Sequence, residues 1–393
     1  MYEFGLRQAQ GPDGAISASR YAYIGGFDST SNVTAAKIFG VPLHGSFGHA
    51  YVSSFDGLET LNTASTTIDG TDILPLALRY RSQLNKDSNI GELAAFVCYA
   101  ASFPNGFLAL VDTYDTLRSG IPNFLAVALA LEKLGRRAIG IRLDSGDIAY
   151  LSRCARQMFA RTARAFKMPK LTSSFMIVAS NNINEDVINS LNEQGNEVDA
   201  FMIGTHLVTC QKQPSLGMVY KLTELDGNPR MKLSQDLGKL TIPGSKEVYR
   251  LIGKDDVPLL DMIIRRGEAP PMAGRRILAQ HPFDGKKRVF VTPKMTIPLL
   301  TVVWDGSKIG CGDDDDIDGG DDDDDDDDEC SGIRIKFPSL EKLRTFRDAQ
   351  VSIMREDHLR CLNATPYKVS VSSSLYTFLH DLWNRVVPIP ELS

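Results

Sequence analysis

The chain has 393 residues, 43% hydrophobic and 23% charged, which supplies a large core and excludes an intrinsically disordered chain. The formal charge of −6 is dominated by thirteen aspartates and Glu329 between Cys311 and Cys330; removing those fourteen acids leaves +8, a mildly basic body without the aromatic-interleaved patch of a nucleic-acid binder. No apolar run has the length of a membrane span, Met1-Tyr2-Glu3-Phe4 lacks a signal-peptide core, and six cysteines without a CxxC pair read as free thiols in a reducing, cytosolic compartment.

In chain order, the first informative stretch is Val41 to Tyr51, rich in glycine and carrying His44 and His49. It has no zinc-ligand spacing, and from residue types alone either histidine is a satisfied structural residue or a nucleophile toward phosphorus. Four short apolar runs follow: Phe107–Val111, Ala138–Leu143, Phe175–Ala179 and Val198–Ile203. Each ends in polar or small residues, as buried parallel strands do. Between them, Ile121–Leu134 reads as a buried helix, Asp147–Arg161 as an amphipathic helix capped by Ser145, and Asn184–Asn192 as a helix with acids in its first turn. Strand, loop, helix in repetition predicts an α/β fold, with ligands at the strand ends of a barrel or an open sheet.

From about Lys212 the texture changes. Met218–Leu222 and Glu247–Leu251 read as strands of a small β-rich insertion. The acidic run 311–330 repels itself and is expected to be a disordered loop. Helix returns over Ser339–Arg360, a strand or loop over Thr365–Val371, and a last helix over Leu375–Trp383. The division expected is a catalytic core at 1–211, a β-rich insertion and end of the barrel region at 212–290, and the C-terminal part of a second domain at 291–393.

Arg142 closes an apolar strand and needs an anionic partner. Asp144 or Asp147 would make a structural ion pair; alternatively, the guanidinium fork takes phosphate while Asp144 accepts from ribose hydroxyls and Gly146 lets backbone approach. Gly204-Thr205-His206 and Ser180-Asn181-Asn182, at the ends of neighbouring strands, have the makings of phosphate-binding loops. The plainer reading is a turn glycine and a helix cap.

Seven segments in order resemble the nicotinate phosphoribosyltransferase family, in particular its longer, eukaryote-like members. They are Tyr2–Arg7 with Gly11–Gly14, Gly25–Val33, Val111–Asp115, Arg142–Asp147, Ala179–Asn181, Gly204–His206 and Thr365–Val369. The resemblance implies an irregular TIM-like α/β barrel of the type II phosphoribosyltransferases, with an incomplete second domain. It implies that Phe4 stacks on the pyridine ring and that Arg7 reaches the product's phosphate or nearby anionic groups. It implies that Ser31 donates a hydrogen bond to the nicotinate carboxylate where the nicotinamide enzyme has Asp. His49 matches the histidine phosphorylated by ATP, and Arg142 and Asp144 match the residues holding phosphoribosyl diphosphate. Ser180, Asn181, Gly204 and Thr205 match the 5′-phosphate loops. The implied reaction, the first step of NAD synthesis from nicotinate, forms nicotinate mononucleotide and diphosphate in an ATP-coupled ligase. Magnesium assists, through residues the sequence does not identify, in a cytosolic homodimer with active sites near the interface. Two departures are Gln8, where a second Arg is common, and Ala50, where Ser is frequent. The family's segment before Glu3-Phe4-Gly5-Leu6-Arg7 has no counterpart here, so an inactive partner or regulatory chain is the alternative expectation.

Overall fold

In the computed structural model, which describes residues 1–168, 175–215, 221–232, 240–301 and 338–386, the apolar runs of the first half pair as parallel strands. The chain separates into two units, Met1–Leu216 and Gly217–Ser393.

The first unit opens with β1 (Tyr2–Glu3), α1 (Gly11–Ile24), β2 (Ser29–Thr30), α2 (Val33–Phe39) and α3 (His49–Ser53). A small hairpin, β3 (Thr67–Ile68) and β4 (Thr71–Asp72), precedes α4 (Leu74–Leu84) and α5 (Ile90–Ser102). Then come β5 (Leu108–Leu110), a π-helical turn Thr116–Gly120, α6 (Ile121–Lys133), β6 (Gly140–Leu143) and α7 (Ile148–Ala165). The unit closes with β7 (Met176–Ala179), α8 (Glu185–Gln194), β8 (Ala200–Ile203) and α9 (Thr205–Val208). The six long-range strands form one parallel sheet in the order β2-β1-β8-β7-β6-β5, curled as a half-barrel.

Helix α6 is apolar all round because it is covered all round: Ile121 to Leu131 are buried without exception. It packs on α4, α5 and α7, and Phe124 meets Phe107, Phe159 and Phe175 at centroid distances of 5.0–6.0 Å. Truncating any one of these rings to Ala costs about 3–5 kcal/mol. Helix α7 does not use Ser145 as its cap. Asp147 takes that place, its carboxylate accepting from Tyr150 N at 2.9 Å, and Ser145 Oγ turns to Asp112 instead.

The second unit carries β9 (Glu224–Leu225), β10 (Asn228–Pro229), β11 (Lys246–Ile252), β12 (Pro258–Arg265), β13 (Ile277–Gln280), β14 (Arg288–Val291), β15 (Met295–Pro298), α10 (Leu340–Ser352), β16 (Val369–Val371) and α11 (Ser373–Val386). Its sheet runs β14-β13-β16-β12-β11-β15 over a core of Leu251, Leu260, Met262, Ile264, Ala279 and Val291. One expected element comes out shorter: the helix expected to Arg360 stops at Ser352. Thr365–Val371, expected as strand or loop, is loop to Lys368 and strand over Val369–Val371. The expected strand Met218–Leu222 lies largely, and the acidic loop 311–330 wholly, outside the described residues. No helix among the described residues is long and apolar enough to cross a membrane.

Candidate active site

Most residues expected at the site belong to the last residues of a parallel strand or the loop just beyond one; His49 and Thr205 each begin a helix, and Arg7 lies in a 3-10 turn. The register places them side by side. Leu110 pairs with Arg142 and Arg142 with Val178, so Asp112, Asp144 and Ser180 each lie two residues further on. Val178 in turn pairs with Ala200, and Met202–Ile203 with Tyr2–Glu3, which brings Gly204 beside Phe4.

Arg142 is the hub. Its Nε donates to Ser180 Oγ at 2.8 Å, one Nη to Asp144 Oδ1 at 2.8 Å, and the other to the Phe47 carbonyl at 3.4 Å. Its side chain is 9% exposed, so these partners offset most of the cost of burying a guanidinium. A guanidinium has five N–H donors, which leaves two for an incoming anion. Ser180 Oγ donates to Asp144 Oδ1. Burial raises the affinity of the Asp144 carboxyl for its proton, but the Ser180 hydroxyl and the Arg142 charge outweigh that and hold it below the ordinary 3.8. Of the two alternatives for the partner of Arg142, Asp144 is the one observed.

The second Asp144 oxygen faces His49, with Oδ2 3.5 Å from Nε2. The other ring nitrogen, Nδ1, lies 3.2 Å from Thr113 Oγ1. His49 is the first residue of α3, after the extended Gly48, and its side chain is 43% exposed and accessible to a ligand. His44, by contrast, stacks on Tyr2 at 5.2 Å.

Asp112 had no role in the sequence reading beyond its motif. Its Oδ2 accepts from Asp144 N at 2.8 Å and Ser145 Oγ at 2.6 Å, fixing the turn after β6. Its Oδ1 is buried without a hydrogen-bond partner and lies 3.9 Å from His49 Nε2. The available signal was positional: Asp112 follows the apolar run Phe107–Val111 as Asp144 follows Ala138–Leu143.

Around Phe4 the three neighbouring strand ends converge. Phe4 N donates to Ile203 O at 2.8 Å, Ser31 N donates to Glu3 O at 3.0 Å, and the Arg142 guanidinium lies 4.8 Å from the Phe4 ring centroid. A side chain at Gly204 would put its Cβ 2.8 Å from the Phe4 carbonyl oxygen, so only glycine lets these loops touch. Glu3, buried behind them, accepts from Ser19, Thr30 and the Gly5 amide at 2.5–2.7 Å. Thr205 begins the short α9, while Asn181 and Asn182 both adopt left-handed backbone at φ 77° and 50°. Arg7 is exposed in a 3-10 turn, Leu6–Gln8, and Asn181 is exposed too; neither bonds to the Arg142–Asp144–His49 cluster in this structure. A 730 Å³ cavity in the second unit, lined by Tyr367, Lys368 and Arg288 among others, contains none of the expected residues.

Comparison with known proteins places this geometry in context. Residues 245–315 and 331–379 match the family model "Nicotinate phosphoribosyltransferase C-terminal domain". The chain is 47% identical over 406 residues to nicotinate phosphoribosyltransferase 1 of Arabidopsis thaliana, covering 100% of this chain and 68% of that protein. It is 46% identical over 403 residues to the nicotinate phosphoribosyltransferase of Dictyostelium discoideum, covering 100% of this chain and 64% of the relative. The crystal structure of human nicotinic acid phosphoribosyltransferase superposes with a TM-score of 0.75 at 36% identity, over 98% of this chain and 70% of that one. The chain therefore spans about two thirds of the length of the relatives it matches.

Proposed function

The chain belongs to the nicotinate phosphoribosyltransferase family, and we propose that it joins nicotinate to the phosphoribosyl group of 5-phosphoribosyl 1-diphosphate, releasing diphosphate, with ATP hydrolysis coupled through His49. The observation that carries this reading is the cluster Arg142, Asp144, Ser180 and His49 at adjacent strand ends, with Asp144 bridging the arginine and the histidine.

In the transfer step the pyridine nitrogen bonds to the anomeric carbon as the bond from that carbon to diphosphate breaks. No protein nucleophile is needed at the sugar, so the site acts by positioning and by stabilising charge. Phe4 stacks on the pyridine, and Ser31 donates to its carboxylate. The two open N–H groups of Arg142, and Arg7, meet anionic oxygens. Asp144 orients ribose hydroxyls, and Ser180, Asn181, Gly204 and Thr205 surround the 5′-phosphate. His49 takes the phosphoryl group from ATP on Nε2 as the β–γ bridging bond breaks. Thr113 at Nδ1 and Asp144 beside Nε2 hold the ring for that attack.

Magnesium commonly binds through one or two carboxylates together with substrate phosphates. The buried, unpartnered Oδ1 of Asp112 fits that requirement and would hold the ion. The ion would supply charge neutralisation to the departing diphosphate. The reading includes a cytosolic homodimer with sites near its interface. The alternative of an inactive partner chain is not favoured, since Phe4, Ser31, His49, Arg142 and Asp144 are all present.

The test is product formation. Purified chain is incubated with nicotinate, phosphoribosyl diphosphate and magnesium, with and without ATP, beside His49→Ala. Nicotinate mononucleotide is expected from the unsubstituted chain, with the ATP stimulation absent in the variant. A folded, soluble chain that makes no product overturns the reading.

A further inference from the structure

Glu92 is a carboxyl with no exposure to solvent, in the first turn of α5. Among the described residues no basic side chain pairs with it. Its Oε2 accepts from Ser119 Oγ at 2.5 Å and Asn123 Nδ2 at 3.0 Å, and its Oε1 has no partner. Burial drives its pKa up to about 7 against the pull of those two hydrogen bonds. A carboxyl kept in so unfavourable a place needs a reason beyond capping, because Asn89 already caps α5 by accepting from Glu92 N at 2.9 Å.

The reason lies in what Ser119 is joined to. Ser119 and Gly120 end the π-helical turn that follows Asp112 and Thr113, and such turns concentrate at functional sites. Their amides both donate to Asp115 O at 2.9 Å. A Cβ at Gly120 would sit 1.8 Å from the Val111 carbonyl oxygen, so the two ends of the segment 111–120 lie in direct contact. Within that closed segment, Asp112 fixes the Asp144 amide and Thr113 meets His49. Asn89 N also donates to Ser119 Oγ at 2.8 Å, and Asn123 Nδ2 to Asn89 O at 2.8 Å, which locks the clamp to the start of α5.

We propose that Glu92 is a positioning residue for the reaction: through Ser119 it holds the segment 111–120 so that Thr113 and Asp112 present His49 and Asp144 correctly. This rests on the functional reading above. Glu92 touches no reacting atom; its effect is on the geometry of groups that do.

The experiment compares the unsubstituted chain with Glu92→Ala, Glu92→Gln and Ser119→Ala, each checked for folding by circular dichroism. Kinetics of nicotinate mononucleotide formation are measured alongside the ring resonances of ¹³C-labelled histidine, with His49 assigned through His49→Gln. Glu92→Ala and Ser119→Ala should lower the ATP-stimulated kcat by about tenfold or more while KM for nicotinate changes by less than about threefold, and should shift the His49 resonance. Glu92→Gln keeps an oxygen for Ser119 and Asn123 and should restore most of kcat and the His49 shift. Folded Glu92→Ala or Ser119→Ala with an unmoved His49 resonance overturns the proposal. If the unsubstituted chain makes no product, the functional reading fails instead, and the resonance alone decides whether Glu92 positions the ring.

Discussion

Replacing Ser180 by Ala isolates the bridge between the two charged groups at the centre of the site. The hydroxyl is 2% exposed, accepts from Arg142 Nε at 2.8 Å and donates to Asp144 Oδ1. A hydrogen bond to a charged group contributes about 1.5–3 kcal/mol, and two are lost. They are not additive, because the direct Arg142–Asp144 bond at 2.8 Å persists and the two partners belong to one network. The expected loss is therefore about 2 kcal/mol, read as a lower urea midpoint at unchanged slope. The pH dependence has a definite sign. The depressed carboxyl of Asp144 contributes stability that is present above its ordinary 3.8 and is lost as pH falls through its lower folded value. Ser180→Ala weakens that depression, so the two proteins should differ most near neutrality and converge as pH falls below about 4. KM for phosphoribosyl diphosphate should rise about five- to tenfold, as expected for a loosened anion fork. A stability change under about 0.5 kcal/mol with an unchanged KM would refute the bridging role.

Three further outcomes follow from the geometry. Ser31→Asp places a carboxylate at the end of β2, beside the Glu3–Phe4 turn, and should weaken nicotinate by about tenfold or more while sparing nicotinamide; competition kinetics with the two ligands check it. Gly120→Ala drives a methyl into the Val111 carbonyl and should cost about 3 kcal/mol, with the loss visible in urea unfolding; a neutral substitution would mean that the two ends of the segment are not in contact. Glu92, raised from 4.5 to about 7, contributes stability that is fully present below its unfolded value and is lost as pH rises through about 7. Glu92→Gln should flatten that decline, which amounts to about 3 kcal/mol between pH 4 and 8, and parallel pH curves for the two proteins would count against the buried-acid account.

The central strands and α6 were legible because burial on both faces leaves continuous apolar runs, which composition alone reveals. Asp144, Arg142 and Ser180 were legible as polar residues at the ends of such runs, while the choice of His49 over His44 came from family resemblance. The strands β1 and β2 were not legible as strands. Each has two residues, and Glu3, Ser29 and Thr30 are polar yet 0–1% exposed. What makes them strands is the network around the Glu3 carboxylate, contributed by α1 and β2, which no local periodicity reports. The helix expected to run to Arg360 failed for a similar reason. After Ser352, Arg355 pairs with Asp357 at 2.7 Å and Asp357 O accepts from Thr365 N, so a local ion pair and a returning chain replace helical bonds. Asp112 escaped notice because its function depends on a neighbour 32 positions away.

The placement of β1 between β2 and β8 bears on biosynthesis. Tyr2 pairs with Met202 and Glu3 with Ile203, so this strand finds one of its two neighbours only when β8, some 200 residues later in the chain, has left the ribosome. Phe4 and Arg7, which follow that strand, are thus delivered late to the site although they precede the other site residues in the chain. A nascent chain stalled before β8 would hold the β5–β6–β7 layer without Phe4 anchored to Ile203, and the proposed ligand would find the site incomplete. Substrate added during refolding should therefore protect only late intermediates from proteolysis, making ligand protection a clock for closure of the half-barrel.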